Sequence, residues 1–353
     1  MSDKSWLQAQ LPIYKGGLGL RSAASHSSSA YLASTFDSEP LARKLLNDEE
    51  AVIEKEIAVQ HLNQVIQTNE PVTEDILSGE TQRMLSQRVD EQSYQQLLDT
   101  TTTLRDKARL SSLSIPHAGD WLHVVPSLSL GLHMRSQEFR LAVLYRLGAP
   151  VYSSAGPCVA CGQLSDNMGD HAISCGAAGE RISRHNKLRD ALYHTAVSAQ
   201  LGPTREDRAL LPGGDQRPAD VMIPNWSGGR DTAFDVTVVN PLQLALVTRA
   251  ATEPGYALSY QYQRKWQKHG QACEDQGISF AALPVETMGG WGESATHHIN
   301  KLGQALARAT SQDESDTVKH LYGRLSVLLM KGNTALLSNR IPSNTDPQID
   351  GVM

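Results

Sequence analysis

The fold is decided by two apolar, strand-like runs, RPADVMI at residues 217–223 and AFDVTVV at residues 233–239. The turn-prone segment NWSGG lies between them at residues 225–229, so the runs are predicted to be strands that pair across it. Each run contains one aspartate, Asp220 or Asp235. A carboxylate among aliphatic residues is costly unless a cation or hydrogen bonds compensate it, so these two residues are the first candidates for a functional site.

Helices are predicted before and after these strands. The predicted elements, in chain order, are a helix at residues 180–200, strands at 205–211, 219–223 and 233–239, a helix at 258–275 and a strand at 278–285. The order α, β, β, β, α, β describes a sheet flanked by helices. In the N-terminal region apolar residues recur at helical spacing, which predicts helices there. A well-marked helix is also predicted at residues 136–147. The predicted fold class is therefore α+β or α/β.

A cluster of cysteines and a histidine stands just upstream of the predicted sheet. Its spacing is Cys-x2-Cys-x9-His-x3-Cys, and its members are Cys158, Cys161, His171 and Cys175. Tetrahedral zinc takes four such ligands, and because the protein would fill all four positions, the predicted role of the zinc is structural. In a short segment, metal binding supplies folding free energy, on the order of 10 kcal/mol in zinc-finger peptides. The alternative is a coincidence of buried cysteines with a polar histidine.

The two aspartates predict a second metal site. If their strands are neighbours, both carboxylates meet at one edge and can hold Mg²⁺, which activates water and neutralises charge on a phosphate. The alternative is that Asp220 caps a strand and Asp235 forms a salt bridge. A lysine is also expected, and Lys265 and Lys268 are the nearest candidates, on one face of a predicted helix. A solvated charged face is the alternative for these lysines.

Length and charge set further limits. With 353 residues the chain has room for two or three domains, and 40% of its residues are apolar, enough for a buried core. The net charge of −6 argues mildly against a nucleic-acid partner. The charge is uneven, however, because residues 181–270 contain 12 Lys and Arg against 8 Asp and Glu. Any surface for nucleic acid is therefore expected in the C-terminal half.

These motifs together resemble the C-terminal end of the polyprotein of non-LTR retrotransposons that use a restriction-like endonuclease. The resemblance rests on the Cys and His motif and on the segments RHN at 184–186, RPAD at 217–220, DVTV at 235–238 and KWQKH at 265–269. It implies, in chain order, a helical thumb or linker region at residues 1–150, a CCHC zinc knuckle at 151–179, a restriction-endonuclease-like PD-(D/E)xK α/β domain at 180–310, and a C-terminal helix with a disordered tail at 311–353.

The resemblance also assigns residues. Asp220 and Asp235 would be the magnesium ligands, and Lys265 or Lys268 would be the catalytic lysine, moved to the helix that follows the strands. A further acidic residue could be Glu180 or Glu206, between which the sequence does not choose. Arg184 and His185, next to the zinc site, are candidates for contact with nucleic-acid phosphate, with polar contacts on a helix surface as the alternative.

The expected function is Mg²⁺-dependent nicking of DNA by a fragment of a retroelement protein. No Tyr-x-Asp-Asp polymerase signature occurs in the sequence, so reverse transcription by this chain is not expected. The expected partners are DNA and element RNA, without a membrane. The alternative function is a zinc-stabilised remnant that binds nucleic acid without cutting it. The expected location is intracellular, and nuclear for an enzyme that acts on chromosomal DNA.

Overall fold

The structure is a computed structural model that describes residues 2–46, 55–67, 71–207, 210–211 and 218–341. It divides into two compact units, residues 1–102 and residues 103–353. None of the helices in the described part of the chain is long and apolar enough to cross a membrane.

The first unit is built from helices. They are α1 (Asp3–Gln10), α2 (Ala23–Leu46), α3 (Glu56–Ile66), α4 (Glu74–Leu77) and α5 (Gln82–Asp99). Apolar residues four positions apart are buried on one face of two helices, in the pair Leu62 and Ile66 of α3 and the pair Leu85 and Val89 of α5. The helical character predicted for this region is thereby confirmed across its described residues.

The second unit combines helices with two small sheets, as predicted for an α+β protein. Its helices are α6 (Leu104–Leu113), α7 (Ser136–Arg146), α8 (Asp170–Ser174), α9 (Glu180–Ser198), α10 (Val247–Ala250), α11 (Tyr256–Lys265), α12 (Gln271–Glu274), α13 (Glu293–Thr310) and α14 (Glu314–Ser338). Its strands are β1 (Gly156–Pro157), β2 (Leu164–Ser165), β3 (Thr204–Arg205), β4 (Val221–Ser227), β5 (Arg230–Val239) and β6 (Ser279–Glu286).

The main sheet has the strand order β3-β4-β5-β6. The first three strands pair antiparallel, whereas β5 and β6 pair in parallel and are joined by the segment that contains α10, α11 and α12. Gly228 and Gly229 form the turn between β4 and β5, with φ of 58° and 78°, which glycine adopts without steric cost. The predicted order of helices and strands from residue 180 onward is confirmed.

Two strands differ from their predicted extents. β4 continues to Ser227, beyond the predicted end at residue 223, because Trp226 is buried in the core instead of standing in a solvated turn. An irregularity in the pairing accompanies this extension, and Asn225 takes a left-handed φ of 52° there. β3 has two residues, whereas a strand at 205–211 is predicted, and residues 208–209 of that prediction lie outside the described part of the chain.

Helices cover both faces of the sheet because the side chains of β5 alternate between them. Phe234 and Val236 pack against α9, α13 and α14, while Ala233 packs in a second core beneath α11 and α12. Cys273 is buried in this second core. The main core joins residues of α7, α9, α13, α14 and the three long strands, among them Ala142, Leu188, Leu192, Val221, Ile223, Ile299, Leu302, Tyr322 and Leu325.

The division between the units lies at Thr102, well before the boundary predicted at residue 150. Trp121 and Ala142 belong to the main core of the second unit, and Tyr145 packs with Val151 and Tyr152 in a neighbouring cluster. The segment around residue 150 therefore lies within the second unit. The helix predicted at 136–147 is confirmed at Ser136–Arg146.

A buried acid ends strand β6. Glu286 is 1% exposed, and its carboxylate accepts a hydrogen bond from the Ser112 hydroxyl. Burial raises the pKa of Glu286 to about 7, although the hydrogen bond from Ser112 opposes the rise. The carboxyl group is therefore more readily ionised in the unfolded chain than in the folded protein.

We predict that Glu286→Gln makes the free energy of unfolding less dependent on pH. Because the folded-state pKa of Glu286 is raised, the folded protein retains this proton longer, and stability falls as pH rises from the unfolded pKa through the folded one. Between pH 4.5 and pH 8 the wild type should lose about 3 kcal/mol relative to the variant. Urea denaturation of both proteins at the two pH values measures this difference, and an equal response to pH would contradict it.

Candidate functional site

The four predicted zinc ligands converge in the second unit. The three thiol sulfurs and a ring nitrogen of the histidine all lie within 4.8 Å of one another. A search of the described residues for three or more Cys, His, Asp or Glu side chains close enough to share an ion finds this group. Three thiols and one imidazole form a closed donor set of the kind found in structural zinc sites, so the residues present fit zinc.

A short hairpin presents the first two cysteines. β1 and β2 pair antiparallel, and Cys158 follows β1 directly. The Cys158 amide donates to the Gln163 carbonyl at 2.8 Å, and the Gly162 amide donates back to the Cys158 carbonyl at 2.8 Å. Gly162 has a φ of 72°, a conformation that favours glycine. The turn therefore places the Cys158 and Cys161 side chains on one side of the hairpin end.

The other two ligands stand at the two ends of α8. Its start is fixed by Asp166, whose carboxylate accepts from the His171 amide at 2.7 Å and from the Asp170 amide at 3.0 Å. The Arg105 guanidinium donates two hydrogen bonds to the Asp170 carboxylate, of 2.6 and 2.9 Å. Because the helix is anchored in this way, His171 and Cys175 are held facing the hairpin.

Arg340, after α14, favours the metal-binding form of Cys175. Its buried guanidinium donates to the Glu180 carboxylate at 2.6 Å and to the Ala177 carbonyl. Burial raises the pKa of the Cys175 thiol, but hydrogen bonds from Arg340 and the Ala177 amide outweigh it and leave that pKa below its ordinary value. A thiol with a lowered pKa is more readily the thiolate that zinc requires.

The two predicted magnesium ligands are neighbours across two paired strands. Val221 pairs with Phe234, and Asp220 and Asp235 are the next residues on their respective strands. The Asp220 carboxylate accepts a hydrogen bond from the Val236 amide at 2.7 Å, which ties it to the strand of Asp235. The charge of Asp220 contributes to a raised pKa of Asp235, as expected for two acids at one site. Arg217, predicted in the same motif, lies outside the described residues.

Lys265 pairs with Asp235. Its Nζ atom lies 2.9 Å from Oδ1 and 2.8 Å from Oδ2 of this carboxylate, which is 6% exposed. Burial raises the pKa of Asp235 to about 6, and the opposing charge of Lys265 limits the rise. One turn earlier on α11, Gln261 donates to the Thr237 hydroxyl at 3.0 Å. Helix α11 thus brings Lys265 and Gln261 to the face of β5 that carries Asp235 and Thr237.

The structure distinguishes between the two candidate lysines. α11 ends at Lys265, and a π-helical turn, Trp266–Gly270, follows it. Gly270 packs so closely on the Trp266 ring that an added Cβ would lie 2.8 Å from its atoms. A π turn has more residues per turn than an α turn, so residues three apart no longer lie on one face. The prediction that the two lysines share a face is therefore wrong, and Lys268 is exposed.

His185 reaches the same site from α9. Its Nε2 atom lies 2.9 Å from Oδ1 of Asp220. Burial lowers the pKa of this imidazole, but the Asp220 carboxylate outweighs it, so the pKa of His185 lies above its ordinary value. Two acids and two basic groups therefore form two neighbouring pairs, Asp235 with Lys265 and Asp220 with His185. We call these four residues the Asp–Lys–His cluster.

Arg184 is placed differently from the prediction. It is 3% exposed, and its Nη1 atom donates to the Asn333 side chain of α14 at 2.7 Å. Gly332 leaves the space for this packing, since a Cβ there would lie 2.5 Å from Arg184 Cγ. Burial lowers the pKa of Arg184 to about 10. Direct contact between this guanidinium and phosphate, as predicted, is therefore replaced by contact with α14.

The two candidate acidic residues both have basic partners of their own. Glu180 binds Arg340 beside the zinc ligands, and Glu206 binds Arg189 of α9. The Glu206 amide donates to the Asp220 carbonyl at 3.1 Å, which places its backbone, though not its paired carboxylate, next to the cluster. The structure thus brings together Asp220, Asp235, Lys265 and His185.

No protein-family model and no curated protein matches this chain. The chemistry must therefore be argued from the site. Two carboxylates on adjoining strands offer oxygen ligands for a hard divalent cation, and an ammonium group beside them offers a fixed positive charge. Sequence reasoning named three of the four cluster residues together, Asp220, Asp235 and Lys265, whereas His185 was expected at phosphate or in polar contacts on a helix surface. It missed Arg340 because no local motif links this residue to cysteines far upstream.

We predict that the wild-type protein holds one zinc ion per chain and that Cys161→Ser loses it. An alcohol in place of a thiolate removes one of four ligands, and the binding free energy that stabilises the hairpin goes with it. Metal analysis of the purified proteins measures the stoichiometry. Cys273→Ala is the matched control, because Cys273 is buried in the second core away from the ligands and its variant should keep the zinc. Retention of zinc by Cys161→Ser would refute the assignment.

Proposed function

We propose that this protein is a metal-dependent endonuclease that nicks DNA, with Asp220, Asp235 and Lys265 at its catalytic centre and a structural zinc beside it. The observation that carries the proposal is the ion pair between Lys265 and Asp235, at 2.8 Å, next to a second carboxylate on the neighbouring strand. Asp220 directly precedes β4, and Asp235 lies within β5 on the paired strand.

The Asp220 and Asp235 carboxylates would hold the catalytic Mg²⁺. Bound there, the ion would supply Lewis-acid stabilisation of the phosphate and a more acidic water. Lys265 places its ammonium group where negative charge grows during phosphodiester cleavage, and it also orients the attacking water. His185 and the Val236 amide hold the Asp220 carboxylate in its orientation before the ion binds.

The charge distribution and the resemblance to retroelement proteins support nucleic acid as the substrate. The region from residue 181 to 270 has more basic than acidic residues although the whole chain is acidic. The resemblance described above leads us to propose a retroelement origin, with a PD-(D/E)xK type of nuclease domain, DNA as the target and element RNA as a further partner. Action on chromosomal DNA would place the protein in the nucleus.

The second candidate function is nucleic-acid binding without cleavage. This function is favoured because both carboxylates already have hydrogen-bond partners. Lys265 donates to Asp235, and His185 and the Val236 amide contact Asp220. Such a cluster is satisfied without a cation. A nuclease must release these partners when the ion binds, whereas a binding remnant keeps them.

A nicking assay separates the two functions. With Mg²⁺ or Mn²⁺ the wild type should convert supercoiled plasmid to the open circular form, and Asp235→Asn and Lys265→Ala should each slow this by at least about 100-fold. Lys268→Ala is the matched control. It removes the same charge from an exposed site three residues away, so its rate should stay within about twofold of wild type.

Each result has a distinct meaning. Equal nicking by wild type and Asp235→Asn would remove Asp235 from the mechanism, and equal losses in Lys265→Ala and Lys268→Ala would remove the special role of Lys265. No nicking by any protein, together with salt-dependent DNA binding, would leave the non-cleaving remnant. Zinc content and thermal unfolding of every variant show whether a loss of rate follows from misfolding.

A further inference from the structure

A cavity of about 350 Å³ opens beside the Asp–Lys–His cluster. One wall is Gly176, the residue after the zinc ligand Cys175, and a second wall is the start of α9 with Arg181 and His185. The end of β5 closes it with Thr237, two residues after Asp235. The cavity therefore lies between the zinc ligands and the proposed catalytic carboxylates, and His185 belongs to both the cavity and the cluster.

The charged side chains that line this cavity are basic. Arg181, Arg184 and His185 line it, and the described lining residues include no aspartate or glutamate. Arg184 is buried, and its Nε atom lacks a hydrogen-bond partner among the described residues. Burial lowers the pKa of Arg184, and the nearby charges of Arg181 and Arg340 lower it further. A bound anion would compensate these positive charges.

Arg181 is the group best placed to touch a ligand. Its side chain is exposed at the cavity wall, and its Nη1 atom donates to the Ser174 carbonyl at 3.1 Å. A guanidinium has five N–H donors, so most donors of Arg181 can bind another acceptor. Arg184 contributes charge from behind the wall, since its own contact is with Asn333. The Arg181 fork matches the paired oxygens of a phosphate group.

We propose that this cavity binds a phosphate of the nucleic-acid strand next to the one that is cut. The inference rests on the proposed function for the identity of the ligand. His185 spans the two sites, because it lines the cavity and contacts Asp220 at 2.9 Å. A strand held by its phosphate at Arg181 would thus run directly past the carboxylates. Arg181 is a binding and positioning residue in this arrangement.

The zinc ligands would set the position of Arg181. Ser174 and Gly176 flank Cys175, and Arg181 donates to the Ser174 carbonyl, with its Nη1 atom 3.6 Å from where a Cβ on Gly176 would stand. Loss of the metal would free this loop and with it the Arg181 guanidinium. The zinc knuckle is then one wall of a substrate site, in addition to its role as a folding element.

DNA binding by Arg181→Ala tests the proposal. Fluorescence anisotropy with a labelled duplex, in magnesium-free buffer and in the Asp235→Asn background, measures affinity separately from cleavage. Arg181→Ala should weaken binding about 10-fold, the loss of one charge-assisted hydrogen bond. It should also reduce the slope of log affinity against log salt by about one. Lys187→Ala is the control, since it removes an equal charge from an exposed site on α9 and should change affinity by less than about twofold.

Equal affinities of Arg181→Ala and Lys187→Ala would overturn the subsite. If Arg181→Ala alone weakens binding but the wild type does not nick DNA, the subsite stands and the nuclease proposal falls. If the wild type nicks DNA but Arg181→Ala binds as tightly as the control, the nuclease stands and the subsite falls.

A double variant tests the link to zinc. Cys161→Ser should weaken binding as much as Arg181→Ala does, and the combined variant should be no weaker than Cys161→Ser alone. Independent losses that add would contradict the role of zinc in placing Arg181.

Discussion

The site in the second unit depends on one constraint, the strand pairing that places the partly buried Asp220 beside the buried Asp235. Burial and the nearby charge of Asp220 both raise the pKa of Asp235, so the ionised Asp235 needs compensation. Compensation comes from two directions: α11 delivers Lys265 to Asp235, and α9 delivers His185 to Asp220. The helices before and after the strands are therefore part of the site, and the sheet is the frame that brings them together.

Local patterns in the sequence were sufficient for the parts of the fold that short-range physics decides. Alternation along β5 and the Gly228-Gly229 turn predict the strand pair, and the cysteine spacing predicts the four converging ligands. The lysine could not be chosen in this way, because a π turn after Lys265 changes the helical spacing. The burial of Arg184 could not be read either, since it is set by Gly332, a residue of a distant helix.

The zinc ligands are bound to the rest of the second unit through the end of α14. Arg340 meets Cys175, Ala177 and Glu180 there, and the Tyr152 hydroxyl donates to the Leu337 carbonyl at 2.7 Å. Three thiolates and a neutral imidazole around a divalent ion leave a net negative charge, so a buried guanidinium beside them is an appropriate counter-charge. The knuckle is thus fixed to the core by electrostatics as well as by the chain, which allows one of its loops to serve as the wall of a cavity.

The acidic net charge of the whole chain does not argue against a nucleic-acid partner once charge is considered locally. Exposed charges act over about 8 Å at physiological ionic strength, so a strand entering the site responds to the residues around it and little to distant ones. The first 150 residues supply an excess of acids, 18 against 14 basic residues, whereas residues 181–270 have the opposite balance. The nearest groups to the cavity are Arg181, Arg184 and His185, and the acids beside them are already paired with Lys265, His185 and Arg340. The phosphate proposed to bind here would therefore face Arg181, with Arg184 behind it.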